Sequence, residues 1–358
     1  MALSSRTHAG RLLLAVVAFS LLVAAALACG SGSPADEASP VETADDARTP
    51  AAADGTAIGG GSLNPARVAV NSATNRVYVS NQSGGSVSVI DGATNDVLAT
   101  VAVGSAPFGI AVNEETNRIY VANTSSGTVS VIDGDDNTVL ETVTVGASPK
   151  GVGVNPETSR VYVANFGDGT VSVIDAASNA VIGSLEVETA PAAVAVDAAA
   201  NRVYIVNTSS NSVSFVDGST DTVVGRVKVG EFKVDPSAVA VDGDGARLFT
   251  ANPFTDEVSV IDATEGMIVT AVPVGVEPRD VAVNAETGAV YVANFGDDSV
   301  SVIDGATLAV VATVPVRDGP LGLAVNPATG LVYVANRADQ SVSVIDGAAN
   351  AVETTIRL

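Results

Sequence analysis

Histidine, cysteine and tryptophan are nearly missing from this chain. Its 358 residues hold one His, one Cys and no Trp, and only 16% are charged. His8 and Cys29 both lie in or at the edge of an N-terminal apolar segment, so the sequence beyond Cys29 has neither imidazole nor thiol. A histidine base, a histidine-ligated metal, a haem, a zinc cluster and a cysteine nucleophile are excluded there, as are disulfides. Lysine is scarce too, at Lys150, Lys228 and Lys233. The plentiful Ser and Thr hydroxyls therefore have no histidine and no persuasive lysine to activate them. Cations are outnumbered, with 17 Lys+Arg against 40 Asp+Glu and a net charge of −23. Such a surface repels phosphate backbones and anionic lipid heads, and with no Trp it argues against single-stranded nucleic acid as a partner.

Only one long apolar run exists, residues 12–28 (LLLAVVAFSLLVAAALA), preceded by Arg6 and Arg11 without any acid. A basic start, an apolar stretch and a small-residue end read as an export signal over residues 1–28. The end, AALAC, resembles a bacterial lipoprotein processing site, although Ala26 stands where such sites most often carry Leu. The resemblance implies acylation at Cys29 and a lipid anchor on a membrane of the cell envelope; plain secretion is the alternative. Loss of the leader removes Arg6 and Arg11, leaving 15 cations against 40 acids, or −25. Residues 29–62 are Gly, Ser, Pro, Ala and acid without aromatics, a composition that predicts a flexible acidic tether.

From residue 63 to 358 the chain repeats itself. The segment S/T-V-S-V-I-D and its variants end at Asp91, Asp133, Asp175, Asp217, Asp262, Asp304 and Asp346, spaced 42, 42, 42, 45, 42 and 42 residues. V-Y-V-A-N recurs upstream at Tyr78, Tyr120, Tyr162, Tyr204, Tyr291 and Tyr333, with Phe249 in the fifth copy. These six positions use every tyrosine in the protein. One unit accommodates four strands of ~6 residues and four short connections. In the third copy these are 151–154, 160–165, 170–175 and 180–187. Alternate positions are Val against Ser, Ala or Tyr, so neither face of the sheets expects much water. The expected fold is all-β, a seven-bladed β-propeller of four-stranded antiparallel sheets. A straight solenoid is disfavoured because the first and last units look like the middle ones and supply no polar caps.

Pairing Asn81 with Ser86 across the loop 82–85 sets Arg76 opposite Asp91. The same register predicts Arg118 with Asp133, Arg160 with Asp175, Arg202 with Asp217 and Arg247 with Asp262. Because Ala289 and Leu331 replace the arginine while the aspartate persists, the aspartate is expected mainly to bond N–H groups of the turn that follows it. No strand is visibly shared between first and last copies to lock a ring, although residues 56–59 offer a short clasp.

These motifs, with V-G-x-x-P leading into each first strand, resemble the YVTN family of β-propeller repeats of surface-layer-like and other exported prokaryotic proteins. That resemblance implies a seven-bladed propeller, related in fold to lactonase-type sugar-acid enzymes, and it carries no catalytic residue to any position here. Groups repeated seven times belong to the scaffold, so a site is sought where copies disagree. After the link proline stand Ala66, Phe108, Lys150, Ala192, Ser237, Arg279 and Leu321. The loops after the asparagine supply Phe166, Phe254, Phe295 and Arg337, and the one length change adds Phe232 and Lys233 to the same expected face. Aromatics and cations on a Ser/Gly background are what interface anchors look like. Arg67 and Asp280 replace the usual Gly or Ala of the first strand, and a cross-channel ion pair is expected of them. The acidic runs Asp133–Asn137 and Asp242–Gly245 lack the spacing of an EF-hand and are expected to be turns, leaving calcium weakly supported and no other cofactor implied. The leading expectation is a surface-anchored scaffold that binds an envelope protein or glycan without catalysis. The other is a cation-assisted lactonase or hydrolase using Asp280 and Arg67 at the channel mouth.

Overall fold

The computed structural model describes residues 62–230 and 233–358. They form seven four-stranded antiparallel sheets, each in sequence order from the innermost strand to the outermost. In the first blade the strands are Pro65–Asn71, Arg76–Asn81, Ser86–Asp91 and Val97–Ala102. In the third they are Pro149–Asn155, Arg160–Asn165, Thr170–Asp175 and Ala180–Glu186, within two residues of the expected bounds. Each innermost strand packs against those of its two neighbours, and the strand Pro65–Asn71 packs on Pro320–Val325 of the seventh blade, so the ring is closed.

Closure uses no shared strand. Val68, Val77, Val79 and Ile90 of the first blade form one apolar cluster with Tyr333, Ala335, Val342, Val344 and Ile356 of the seventh. Six further clusters of the same kind fill the remaining joints. The tyrosine of one blade lies buried against the next, and at the seam the Tyr333 hydroxyl donates to the Gly92 carbonyl at 3.3 Å. Leu63 N–H donates to Gln340 Oε1 at 2.9 Å, adding a polar tie. The expected clasp at 56–59 lies outside the described residues.

Inside each blade the two motifs form a single device. The asparagine ending the second strand is buried in all seven copies. Its Nδ2 donates to hydroxyls of the third strand: Asn81 to Ser86 and Ser88 at 3.2 and 2.9 Å, Asn336 to Ser341 and Ser343 at 3.1 and 2.9 Å. In the fifth copy Glu257 takes the first hydroxyl's place, and Asn252 keeps only Ser259. Buried amides must find such partners, because an unpaired one costs about 1–3 kcal/mol.

The register is as expected: Arg76, Arg118, Arg160, Arg202 and Arg247 each stand opposite their aspartate. The ion pairs follow only in part. Arg76–Asp91 and Arg118–Asp133 form, whereas Arg160 turns to Asp221 of the next blade and Arg247 donates to the Gly305 carbonyl. Arg202 makes no ion pair among the described residues. A flexible guanidinium opposite a partially solvated carboxylate gains little, so a partner across the joint competes with ease. The aspartates do serve the turn, as Asp262 Oδ1 accepts from Thr264 and Glu265 N–H at 2.8 Å each. The acidic runs are turns as well: Asp133 Oδ1 accepts from Asp135 N–H, and Asp242 Oδ1 from Arg247 N–H.

One expectation about solvent fails. The second and third strands are buried on both faces, but the outermost strand of every blade is open to water, with Leu98, Ile182, Val269 and Val311 about half exposed. No described residue lies outside the fourth strand to cover its outer face, and alternation along the sequence does not report a strand's place in its sheet.

The innermost strands approach so closely that a Cβ at Gly322 would lie 2.3 Å from the Ala66 carbonyl oxygen, across the seam. Gly322→Ala is expected to cost about 1–3 kcal/mol by overpacking against backbone that cannot yield; calorimetry of the variant checks it. A second prediction concerns acid. Turn N–H groups hold Asp91, Asp133 and Asp304 below the usual aspartate value, as do, foremost, serine hydroxyls for Asp175 and Asp217. Folded values below unfolded ones mean stability that is present above the ordinary aspartate pKa and lost as pH falls through the depressed values. Burial raises Asp242 and Asp280 instead, with the opposite sign. The thermal midpoint is expected to fall between pH ~5 and ~2, and less steeply in Asp304→Asn.

Candidate functional site

The loops joining second to third strands share a face with the links between blades. Thr124 N–H donates to the Ala106 carbonyl, Phe166 N–H to Ser148 and Arg337 N–H to Gly319, so each loop is stitched to the link that precedes its own blade. The link proline begins the innermost strand in six blades, and the residue after it stands at the channel mouth. The central cavity, about 160 Å³, is lined by all seven innermost strands. Its wall is mostly Gly, Ala and Val, broken by Arg67, Phe108, Lys150 and Asp280.

Arg67 and Asp280 pair as expected, with Nη1 3.1 Å from Oδ2 and both side chains about 15% exposed (15% and 14%). The same Nη1 donates to the Leu321 carbonyl at 2.6 Å, and Asp280 Oδ2 also accepts from Leu323 N–H at 2.9 Å. The first, sixth and seventh blades are thereby tied across the axis. Burial pushes the Asp280 carboxyl above the usual aspartate value, against the pull of Arg67 and of the Leu323 and Val281 N–H groups. The ion pair with Arg67 and the Leu323 N–H, both on Oδ2, hold Asp280 as a structural counter-ion within the ring.

Around that pair the cations stack on aromatic rings. Arg67 lies over Phe108 at 5.1 Å, Lys150 Nζ over Phe166 at 3.4 Å, and Arg279 over Phe295 at 5.8 Å. Arg279 also pairs with Glu277. Burial pushes the Lys150 ammonium below the usual lysine value, and the charges of Arg67 and Arg279 add to the fall. Of these three cations, Arg67 is offset by Asp280 and Arg279 by Glu277, and Lys150 makes no ion pair among the described residues. Cation–ring contacts of this type contribute about 0.5–2 kcal/mol each as desolvation increases.

Not every divergent residue joins the cluster. Phe254 stands clear at 65% exposed, with no cation on its ring among the described residues. Arg337 is half-buried and makes no ion pair among the described residues, Lys233 is exposed, and Phe232 lies outside the described residues. The Lys150–Phe166 and Arg279–Phe295 pairings escape sequence reasoning, since nothing in either motif says which loop leans over which link. A second, larger cavity of about 470 Å³ sits between the fourth and fifth blades, on the opposite side of the disc from these loops. Sequence reading misses it, although Phe215 in S-V-S-F-V-D, where the other copies have Val, is its signal.

No curated protein matches the chain. A family model described as lactonase, 7-bladed beta-propeller, matches residues 91–189, a stretch that holds the second and third blades. Among solved structures, hydrazine synthase from Kuenenia stuttgartiensis is similar with a TM-score of 0.74 and 22% identity, over 82% of this chain and 99% of that one. At that identity the likeness is one of fold, and together these comparisons describe a seven-bladed propeller with lactonase-type propeller sequence in part of its length.

Proposed function

We propose that this chain is an exported, surface-anchored member of the YVTN-type propellers that holds an envelope protein or glycan at its channel mouth and carries out no turnover. The observation that carries this reading is the ring of cation–aromatic pairs, Arg67 with Phe108, Lys150 with Phe166 and Arg279 with Phe295. Aromatic and arginine anchors on a rigid scaffold bind without a large ordering cost, and the cationic mouth suits an acidic group of the partner. Phe254, exposed on a loop of the same face though clear of the cluster, offers a further apolar contact. Residues 1–28 act as the leader, acyl chains on Cys29 hold the protein to the membrane, and residues 29–62 serve as the tether that lets residues 63–358 reach outward.

A lactonase reading is favoured by the family match over residues 91–189, with Asp280, Arg67 and a bound cation at the mouth. Against it stands the bonding of Asp280: Arg67 and Leu323 N–H share Oδ2, and Val281 N–H also stabilises the charged carboxylate. Such a carboxylate is committed to the ring.

Replacing Phe166, Phe254 and Phe295 together with Ala is expected to abolish retention of the surface partner while circular dichroism stays unchanged, and Cys29→Ala is expected to release the chain into the medium; unaltered pull-down from envelope fractions counts against the face. A panel of lactones with added calcium is expected to show no turnover. Calcium-dependent hydrolysis lost in Asp280→Asn, with the fold intact, establishes the enzyme reading instead.

A further inference from the structure

The joint between the fourth and fifth blades differs from the one before it by what it lacks. Between the third and fourth blades, Asp221 of the later blade pairs with Arg160 and accepts from the Tyr162 hydroxyl at 2.8 Å. One joint along, Arg202 and Tyr204 occupy the places of Arg160 and Tyr162, but Gly266 occupies that of Asp221. Both turn residues have left-handed backbones, φ 51° and 63°. Asp197 and Asp217 stand opposite Arg202 in the neighbouring strands, yet Arg202 makes no ion pair among the described residues. A Cβ at Gly266 would meet only Phe215 Cε2, at 3.5 Å, so the space of the missing side chain is real.

The other wall of the cavity has the converse deficiency. Asn155 of the third blade donates to Asn201 Oδ1 at 2.7 Å. In the fourth blade that asparagine is Asp197, and the residue facing it from the fifth is Gly245, where a Cβ would lie 2.1 Å from Asp197 Oδ2. Asp197 is nine-tenths buried; its Oδ1 accepts from Ala200 N–H at 3.0 Å, while Oδ2 has no donor among the described residues. Asp197 faces Arg202 directly across the hairpin. Tyr204, two residues along the strand from Arg202, has a ring that meets Phe215 edge-on at 5.2 Å and a phenol that burial and the Asp197 charge push up to about 12. The phenol therefore stays a donor. The cavity holds about 470 Å³, within the range of small-ligand sites.

We propose that this cleft binds a small zwitterion, an α-amino acid with an apolar side chain. Its carboxylate takes the place that Asp221 fills in the preceding joint, against Arg202 and the Tyr204 hydroxyl. Its ammonium meets Asp197 Oδ2, and its side chain lies on Phe215. Net neutrality fits a chain of −23, whose field opposes the approach of a purely anionic ligand. The site faces away from the channel mouth and is independent of any partner there.

The test is isothermal titration of the full-length chain with L-leucine, L-methionine and L-phenylalanine, alongside N-acetyl-L-leucine and L-leucinamide, which each lack one charge. The expected result is binding by at least one free amino acid and at least tenfold weaker binding of both blocked forms. Gly266→Asp restores the internal carboxylate with the turn geometry already used by Asp221 and is expected to abolish binding while raising the unfolding midpoint. Arg202→Met, which keeps the length and apolar stem, is expected to weaken binding at least tenfold, about 1.4 kcal/mol. Absence of binding by every free amino acid, equal binding of the blocked forms, or undiminished binding in a folded Gly266→Asp or Arg202→Met variant overturns the proposal.

Discussion

Every feature of this molecule depends on how closely one blade's inner strand approaches the next. The backbone contact that leaves no room for a Cβ at Gly322, and similarly at Gly109 against the Lys150 carbonyl and at Gly151, sets the close spacing of the inner strands at those joints. From that spacing follow the narrow central cavity, the burial of each blade's tyrosine against its neighbour, and the convergence of links and loops on one face. The ring then needs no interleaved strand, because the seam between last and first blades carries the same kind of apolar cluster as the other joints.

A repetitive scaffold of this sort concentrates individuality in few places. Within a blade the asparagine, its hydroxyl partners and the turn aspartate are nearly invariant from copy to copy, and their hydrogen bonds account for them without any functional role. At the mouth, Arg67 and Asp280 stand where glycine or alanine is usual, and their pairing brings charge into an otherwise apolar wall. Lys150 and Arg279 cover their charges with aromatic faces, which keeps cations available on an acidic protein without pairing all of them to carboxylates.

The two unusual regions differ in origin. The mouth is built by adding side chains to places the repeat leaves small. The cleft between the fourth and fifth blades is built by subtraction: Gly266 where the preceding joint has Asp221 and most others an asparagine, and Ala246 where the preceding joint has Asn201. Subtraction leaves Arg202 without the partner its equivalent has, and a vacancy in a repeat is legible only beside a neighbour in which the same place is filled.

The sequence by itself determined the number of blades, the four strands in each, their register and the turn role of the aspartates. A 42-residue period and alternating Val admit one hairpin pairing that buries both motifs. It also marked the residues that depart from the repeat, and the Arg67–Asp280 pair among them, since two opposite charges in an apolar wall have few other partners. What tertiary structure alone decided is how neighbouring blades meet. Arg160 and Arg247 abandon the in-blade partner that register offers because a better one comes from the next sheet, Lys150 and Arg279 lie on rings that no local pattern assigns to them, and the outer strands stay open to water because no described residue lies beyond them. The cross-joint partners of Arg160 and Arg247 lie more than fifty residues away in sequence. Even the cation–ring contacts, which join a link to a loop of the same blade, depend on how those segments meet in space, about which periodicity within one unit carries no information.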